Sequence, residues 1–165
     1  MRGDRMLTTD PGQSESRLSR SPGNAEEYLS FLLGKEPYAI NIAFVREIVK
    51  PSPICEVPRS GSNILGVMSV RGTIVTVVDL CAYTGEGRLE MQKHARVLLT
   101  EAESGEPVGL AVTLVQGVVR IAHEDIEGAY RSLDNNASPH IQGVARPEGG
   151  PMLVLLDVVS LLGTL

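Results

Sequence analysis

One guanidinium, Arg71, stands beside Gly72 between two apolar β runs, Ile64–Val70 and Thr73–Leu80. An arginine held at such a turn presents a rigid fork that matches a carboxylate. Glu47, which closes the first apolar unit of the chain, is the carboxylate expected to meet it. The pair can be a purely structural latch between loops, or it can form a surface used by a protein partner. The two readings are compatible, because a preorganised surface loses less entropy on binding.

Other chemistry-bearing residues do not assemble into a catalytic set. Asp79 and Asp157 each end an apolar strand. An acid–base pair would need them facing across a cleft with unequal pKa values. An aspartate at a strand end more often accepts backbone hydrogen bonds in the following turn. Both are therefore read as turn residues, together with Gly72 and Gly143. Gly66 and Gly72 are followed by no Gly-Lys-Ser/Thr, so they are not a phosphate loop. His94, His123 and His140 are isolated, and Cys55 and Cys81 cannot complete a zinc site alone. The two cysteines are read as buried thiols. No Gly-x-Ser-x-Gly elbow is present. The sequence thus predicts no enzyme, no cofactor and no metal.

The elements that position Arg71 follow from composition and period. The 165 residues are 42% hydrophobic but only 4% aromatic, so packing must rest on Val, Ile and Leu, which favour strands. The net charge is -5 and the basic residues are scattered, which excludes a nucleic-acid footprint. No apolar run reaches the length of a membrane span, and no apolar leader follows the N-terminus. A cytoplasmic protein without direct membrane insertion is expected, monomeric when alone.

Residues 1–25, rich in Gly, Pro, Ser, Asp and Arg, read as a flexible extension. Residues 26–163 form the expected domain. Leu29, Phe31 and Leu33 alternate, a Gly/Pro turn follows, and Tyr38, Ile40 and Ile42 alternate again, which reads as a hairpin. Residues 43–47 suggest a helical turn, and Pro51 and Pro53 stop the short strand at Ile48–Val49. Further strands are expected at 64–70, 73–80, 96–100, 108–115 and 118–121. A loop is expected over 84–94 and mostly loop over 122–138. Many short strands with Gly/Pro turns predict an all-β barrel or sandwich. Ile64-x-Gly66-Val67 returns as Ile141-x-Gly143-Val144, and Asp79 with Gly85 returns as Asp157 with Gly163. The chain therefore reads as two related β modules.

These residues, in this order, resemble the CheW family of bacterial chemotaxis adaptors. The resemblance rests on Tyr28-Leu29-x-Phe31, Tyr38-x-Ile40, Val45-x-Glu47-Ile48 and Ile64-x-Gly66-Val67. Val70-Arg71-Gly72 follows, running into Val77-Val78-Asp79-Leu80. Gly109-Leu110-x-Val112, Ile141-x-Gly143-Val144 and Leu155-Leu156-Asp157 complete it. It implies two small five-stranded SH3-like β-barrel subdomains packed on a shared apolar core, and no catalysis. The implied role is a scaffold linking the regulatory domain of a CheA-like histidine kinase to the cytoplasmic tip of methyl-accepting chemoreceptors. Arg71 matches the family arginine associated with receptor coupling, and Glu47 its partner glutamate. By the same resemblance the receptor tip would meet Val45, Ile48, Val49, Ile64, Gly66 and Val67. The chain departs from the family at Ser69, usually Asn, at Thr76, often Pro, and at Thr113 and Gly117, usually acidic. Those departures keep a second reading open, a module that binds only one of the two partners. A small β-barrel enzyme is the alternative of another class.

Overall fold

In β1 (Ala25–Leu33) the period of two sends Leu29, Phe31 and Leu33 to one side and Tyr28 to the other, and all four are buried. This is a computed structural model that describes residues 24–128 and 140–165. The extension expected over 1–25 falls almost wholly outside the described residues, as does the part of the expected loop at 129–139. β1 pairs antiparallel with β2 (Glu36–Asn41), so the N-terminal hairpin forms as its turn residues suggest. A single 3-10 turn at Ile42–Phe44 is capped by the Asn41 side chain, which accepts from Ala43 N. It leads to the three-residue strand β3 (Glu47–Val49).

The hairpin of β4 (Ile64–Val70) and β5 (Thr73–Asp79) follows, then helix α1 (Leu80–Thr84), β6 (Arg96–Glu101), β7 (Pro107–Val112) and β8 (Leu114–Ala122). Beyond them lie the two-residue β9 (Glu127–Gly128), β10 (Ile141–Ala145), β11 (Leu153–Leu156) and helix α2 (Val158–Leu162). One sheet has six strands, in the order β8-β1-β2-β11-β10-β9, and the other five, in the order β3-β6-β7-β5-β4. Both are mixed, because β2 runs parallel to β11 and β5 parallel to β7. Alternation of side chains shows which residues face inward but not which way a neighbouring strand runs, and the parallel pairs need longer crossovers, α1 with β6 between β5 and β7 and the strands from β3 to β10 between β2 and β11.

The expectation of two closed five-stranded barrels is therefore corrected. The sheets have six and five strands, and neither closes on itself. Prolines supply part of the reason. β3 runs straight into Lys50-Pro51-Ser52-Pro53, where two residues lack a backbone donor, so it ends after three residues and does not reach β4. No further strand pairs with the outer edge of β4, which is met by the isolated bridge between Cys55 and Val67 and by the Ser52 hydroxyl, donating to Ser69 O at 3.2 Å. In the larger sheet, the two-residue β9 is too short to close a barrel against β8. Short edge strands of this kind limit pairing with other chains without closure.

The sheets share one core. Phe31, Tyr38 and Ile40 from the first meet Met68, Val77, Val97 and Leu110 from the second, with Leu161 of α2. Burying each such side chain is worth about 1.5–3 kcal/mol. Tyr28, Ala39, Ile121, Leu153 and Leu155 form a second cluster on the other face of the six-stranded sheet. Polar ties also cross between the sheets. Tyr38 donates from its hydroxyl to Glu86 Oε1 at 2.8 Å, and Gly34 N donates to Thr113 Oγ1 at 2.9 Å.

The internal echo is structural. Each module is an antiparallel hairpin with a register shift near its first glycine, between Ile64 and Gly66 in one and between Ile141 and Gly143 in the other. Each hairpin ends in an aspartate that caps a five-residue helix, α1 or α2.

Candidate functional site

The β4–β5 hairpin turns on Arg71 and Gly72, with Val70 opposite Thr73. Both turn residues have positive φ, 49° for Arg71 and 81° for Gly72. Tight hairpins with this pattern favour Asn-Gly, because a side chain in the left-handed region costs about 1–2 kcal/mol. An arginine accepts that strain here and projects outward, its side chain 71% exposed. Its Nη1 donates to Glu47 Oε2 at 2.8 Å and its Nη2 to Glu47 Oε1, a two-point pairing of fork and carboxylate. The hydrogen bonds from Arg71 hold the Glu47 carboxyl below the usual carboxylate range, and Glu47 raises Arg71 in turn.

Glu47 is fixed from behind by β3, where it stands opposite Leu99 of β6. Strand alternation places Val49 on its face of β3 and Ile48 on the other. Val45 and Val49 are half-buried against the shared core, whereas Ile48 and the nearby Phe44 are exposed. Ile74, just past the turn, is 63% exposed.

The other expected contact residues lie elsewhere. Ile64 stands at the far end of β4 from the turn, about 20 Å along the strand at its ordinary rise per residue. Val67 exchanges backbone hydrogen bonds of 2.8 Å with Cys55. Gly66 is buried, and a Cβ there would stand 2.2 Å from the Cys55 carbonyl oxygen. The structure thus brings Glu47, Arg71 and the β3 residues together and separates them from Ile64 and Gly66.

The turn residues have local partners. Asp79 is buried and accepts from Ala82 N at 3.1 Å and Leu89 N at 3.0 Å. Asp157 accepts from Ser160 N at 3.1 Å. Gly143 is crossed by the β9 backbone, with Glu127 O 2.3 Å from where its Cβ would be. Among the described residues no group of three or more His, Cys, Asp and Glu gathers in metal-binding geometry. His123 Nε2 lies 3.1 Å from Glu26 Oε1, and His140 Nδ1 3.0 Å from Ser160 Oγ. Cys81 is buried as read, and burial pushes its thiol upward. Cys55 is exposed instead, because it pairs with the outer edge of β4 through its backbone and leaves its side chain outside.

Two departures from the resemblance acquire physical reasons. Thr113 Oγ1 accepts from Gly34 N and lies 3.6 Å from Cys81 Sγ, an internal role for a short hydroxyl. Gly117 has φ of 152° beside the register shift between β1 and β8, which favours glycine over an acidic residue.

Two features went unread in the sequence. Helix α1 is framed by the Asp79 cap and by Gly85 at φ 83°, the same Asp-to-Gly spacing that marks α2. The exposed Phe44 and Ile74 flank the ion-paired segments, and period alone cannot tell an exposed apolar residue from a core one.

Comparison with known proteins agrees with this geometry. The structure matches the scaffolding protein TtCheW from Thermoanaerobacter tengcongensis with a TM-score of 0.71 and 27% identity, covering 79% of this chain and 88% of that one. The chemotaxis protein CheW of Rhizobium meliloti is 27% identical over 134 residues, 81% of this chain and 85% of that protein. The chemotaxis protein CheV3 of Helicobacter pylori is 28% identical over 129 residues, 78% of this chain, and the chain spans only 42% of that longer relative. A family model described as CheW-like domain matches residues 27–165. With the match running through both sheets and both capped modules, the chain belongs to the CheW-like domain family.

Proposed function

We propose that the Glu47–Arg71 turn is the surface through which this chain, a non-enzymatic CheW-family scaffold coupling chemoreceptors to a CheA-like kinase, engages a receptor tip. The observation that carries the reading is the exposed two-point ion pair, built on an arginine in a backbone conformation that disfavours it. Exposed ion pairs add little to stability and a side chain in the left-handed region is strained, so stability alone does not account for Arg71. A fixed guanidinium–carboxylate pair with Phe44, Ile48 and Ile74 exposed on the neighbouring segments is a preorganised contact surface. The partners are a kinase regulatory domain and a methyl-accepting receptor tip. Among the described residues no helix is long and apolar enough to cross a membrane. The proposed role puts the chain in the cytoplasm beside receptor arrays.

A second reading, binding to one partner only, is favoured by Thr113, whose hydroxyl is turned to an internal bond where the resemblance implies an acid. Calorimetry with the kinase regulatory domain and the receptor tip, each alone, separates the two. Binding to both establishes the bridge. For the site, Arg71→Ala is expected to fold and to lose receptor coupling in a reconstituted kinase assay. Full coupling by that variant would remove Arg71 from the contact surface.

A further inference from the structure

A cleft of about 550 Å³ lies beyond the end of β3, between the proline-containing link and the loop that precedes β6. Its lining includes Lys50, Pro51, Ile54, Met91, Lys93 and Arg96, and no carboxylate. In a chain of net charge -5 this gathering of cations is against the overall balance. Arg96 donates from Nη1 to the carbonyl oxygens of Lys93 at 3.1 Å and Ala95 at 2.7 Å, which fixes its guanidinium without neutralising it. The side-chain ammonium groups of Lys50 and Lys93 have no hydrogen-bond or ion-pair partner among the described residues. The nearby Glu90 carboxylate is held by Gln92 Nε2 at 2.9 Å.

The apolar part of the cleft is equally specific. Met91 is 44% exposed, and Ile54 packs against the shared core from the inner side. Methionine adapts to the form of an incoming apolar group. The prolines have fixed φ, so this wall loses little freedom when something binds.

We infer that this cleft docks an acidic segment of a protein partner, with carboxylates on Lys50, Lys93 and Arg96 and an apolar side chain on Met91 and Ile54. Charge complementarity selects this occupant. The assignment does not depend on the role given to Glu47 and Arg71.

The test is a titration of the 15N-labelled full chain with a short synthetic peptide of alternating glutamate and leucine, followed by amide chemical shifts. Shifts confined to residues 50–54 and 91–96, weakening as salt rises, are expected. The double variant Lys50→Glu, Lys93→Glu exchanges two exposed side chains and should weaken binding at least about tenfold. Arg71→Ala should bind the peptide as the wild type does. Several results would overturn the inference: no shifts, shifts scattered over the basic residues, equal binding of a glutamine–leucine peptide, or loss of binding in Arg71→Ala. So would sedimentation of the chain with anionic phospholipid vesicles when the peptide gives no response.

Discussion

Gly66 and Gly143 occupy the same position in the two copies of one module. A Cβ at Gly66 would stand 2.2 Å from the carbonyl oxygen of Cys55, and one at Gly143 would stand 2.3 Å from that of Glu127. In each case the chain that crosses the hairpin comes too close for any side chain. An isoleucine methyl, from Ile54 or Ile126, closes the other side.

Gly66→Ala and Gly143→Ala should therefore each destabilise the fold by at least about 2 kcal/mol, since backbone rather than a flexible side chain must move. Gly72→Ala meets nothing within 4 Å and carries only the cost of its φ of 81°, about 1–2 kcal/mol. Urea unfolding of the three variants checks the order. Midpoints for the first two that match the wild type would refute the crossing argument.

Arg71→Asn separates fold from contact. Asparagine is favoured at the first position of an Asn-Gly turn, so the variant should be at least as stable as the wild type. Receptor coupling should nonetheless fall. A clear loss of stability on thermal unfolding would mean that the ion pair outweighs the backbone strain.

The Glu47 carboxyl titrates below its ordinary value of 4.5 because Arg71 donates to its charged form. A lowered folded pKa means the pair is fully formed above the ordinary value and is lost as pH falls through the lowered one. Carbon NMR of the labelled side chain should show this midpoint below 4.5, and Arg71→Ala should return it to the ordinary range. An unmoved midpoint in the variant would contradict the pairing in solution.

Tyr38 runs the other way. Burial first, then its hydrogen bond to Glu86, pushes its phenol from 10.0 up to about 12. The folded state holds this proton more tightly than the unfolded chain, so the contribution is present below pH 10 and is lost as pH rises toward 12. Tyr38→Phe should cost about 1 kcal/mol at neutral pH through the missing bond to Glu86. Its stability should then fall less steeply in alkali. Denaturant melts at neutral and alkaline pH distinguish the two effects.

Much of this molecule was legible in residue order, and the illegible parts share a cause. The hairpins at Leu33–Glu36 and Val70–Thr73 announced themselves because turn residues and alternation are local. The Arg71–Glu47 pair was legible because an isolated charge inside an apolar pattern asks for a partner. Parallel pairing of β5 with β7 and of β11 with β2 was not, since neither strand carries a mark of its neighbour's direction. Closure of the sheets was misjudged for the same reason, as edges are decided by partners far away in the chain. Helix α1 is different: the Asp79 and Gly85 caps were in view, but five residues are too few to show a helical period.

The six-stranded sheet takes β1 and β2 from one end of the chain and β10 and β11 from the other, whereas β3 to β7 of the five-stranded sheet are continuous in sequence. On the ribosome these halves have unequal prospects. The five-stranded sheet has all its strands once Val112 has emerged. The opening hairpin must wait for the last strands to be made before β2 gains its parallel neighbour. Nascent chains just long enough for residue 128 to have left the exit tunnel should resist protease across 47–112 while their first hairpin is still cut. Protection of that hairpin at the same length would show that β8 alone suffices to hold it.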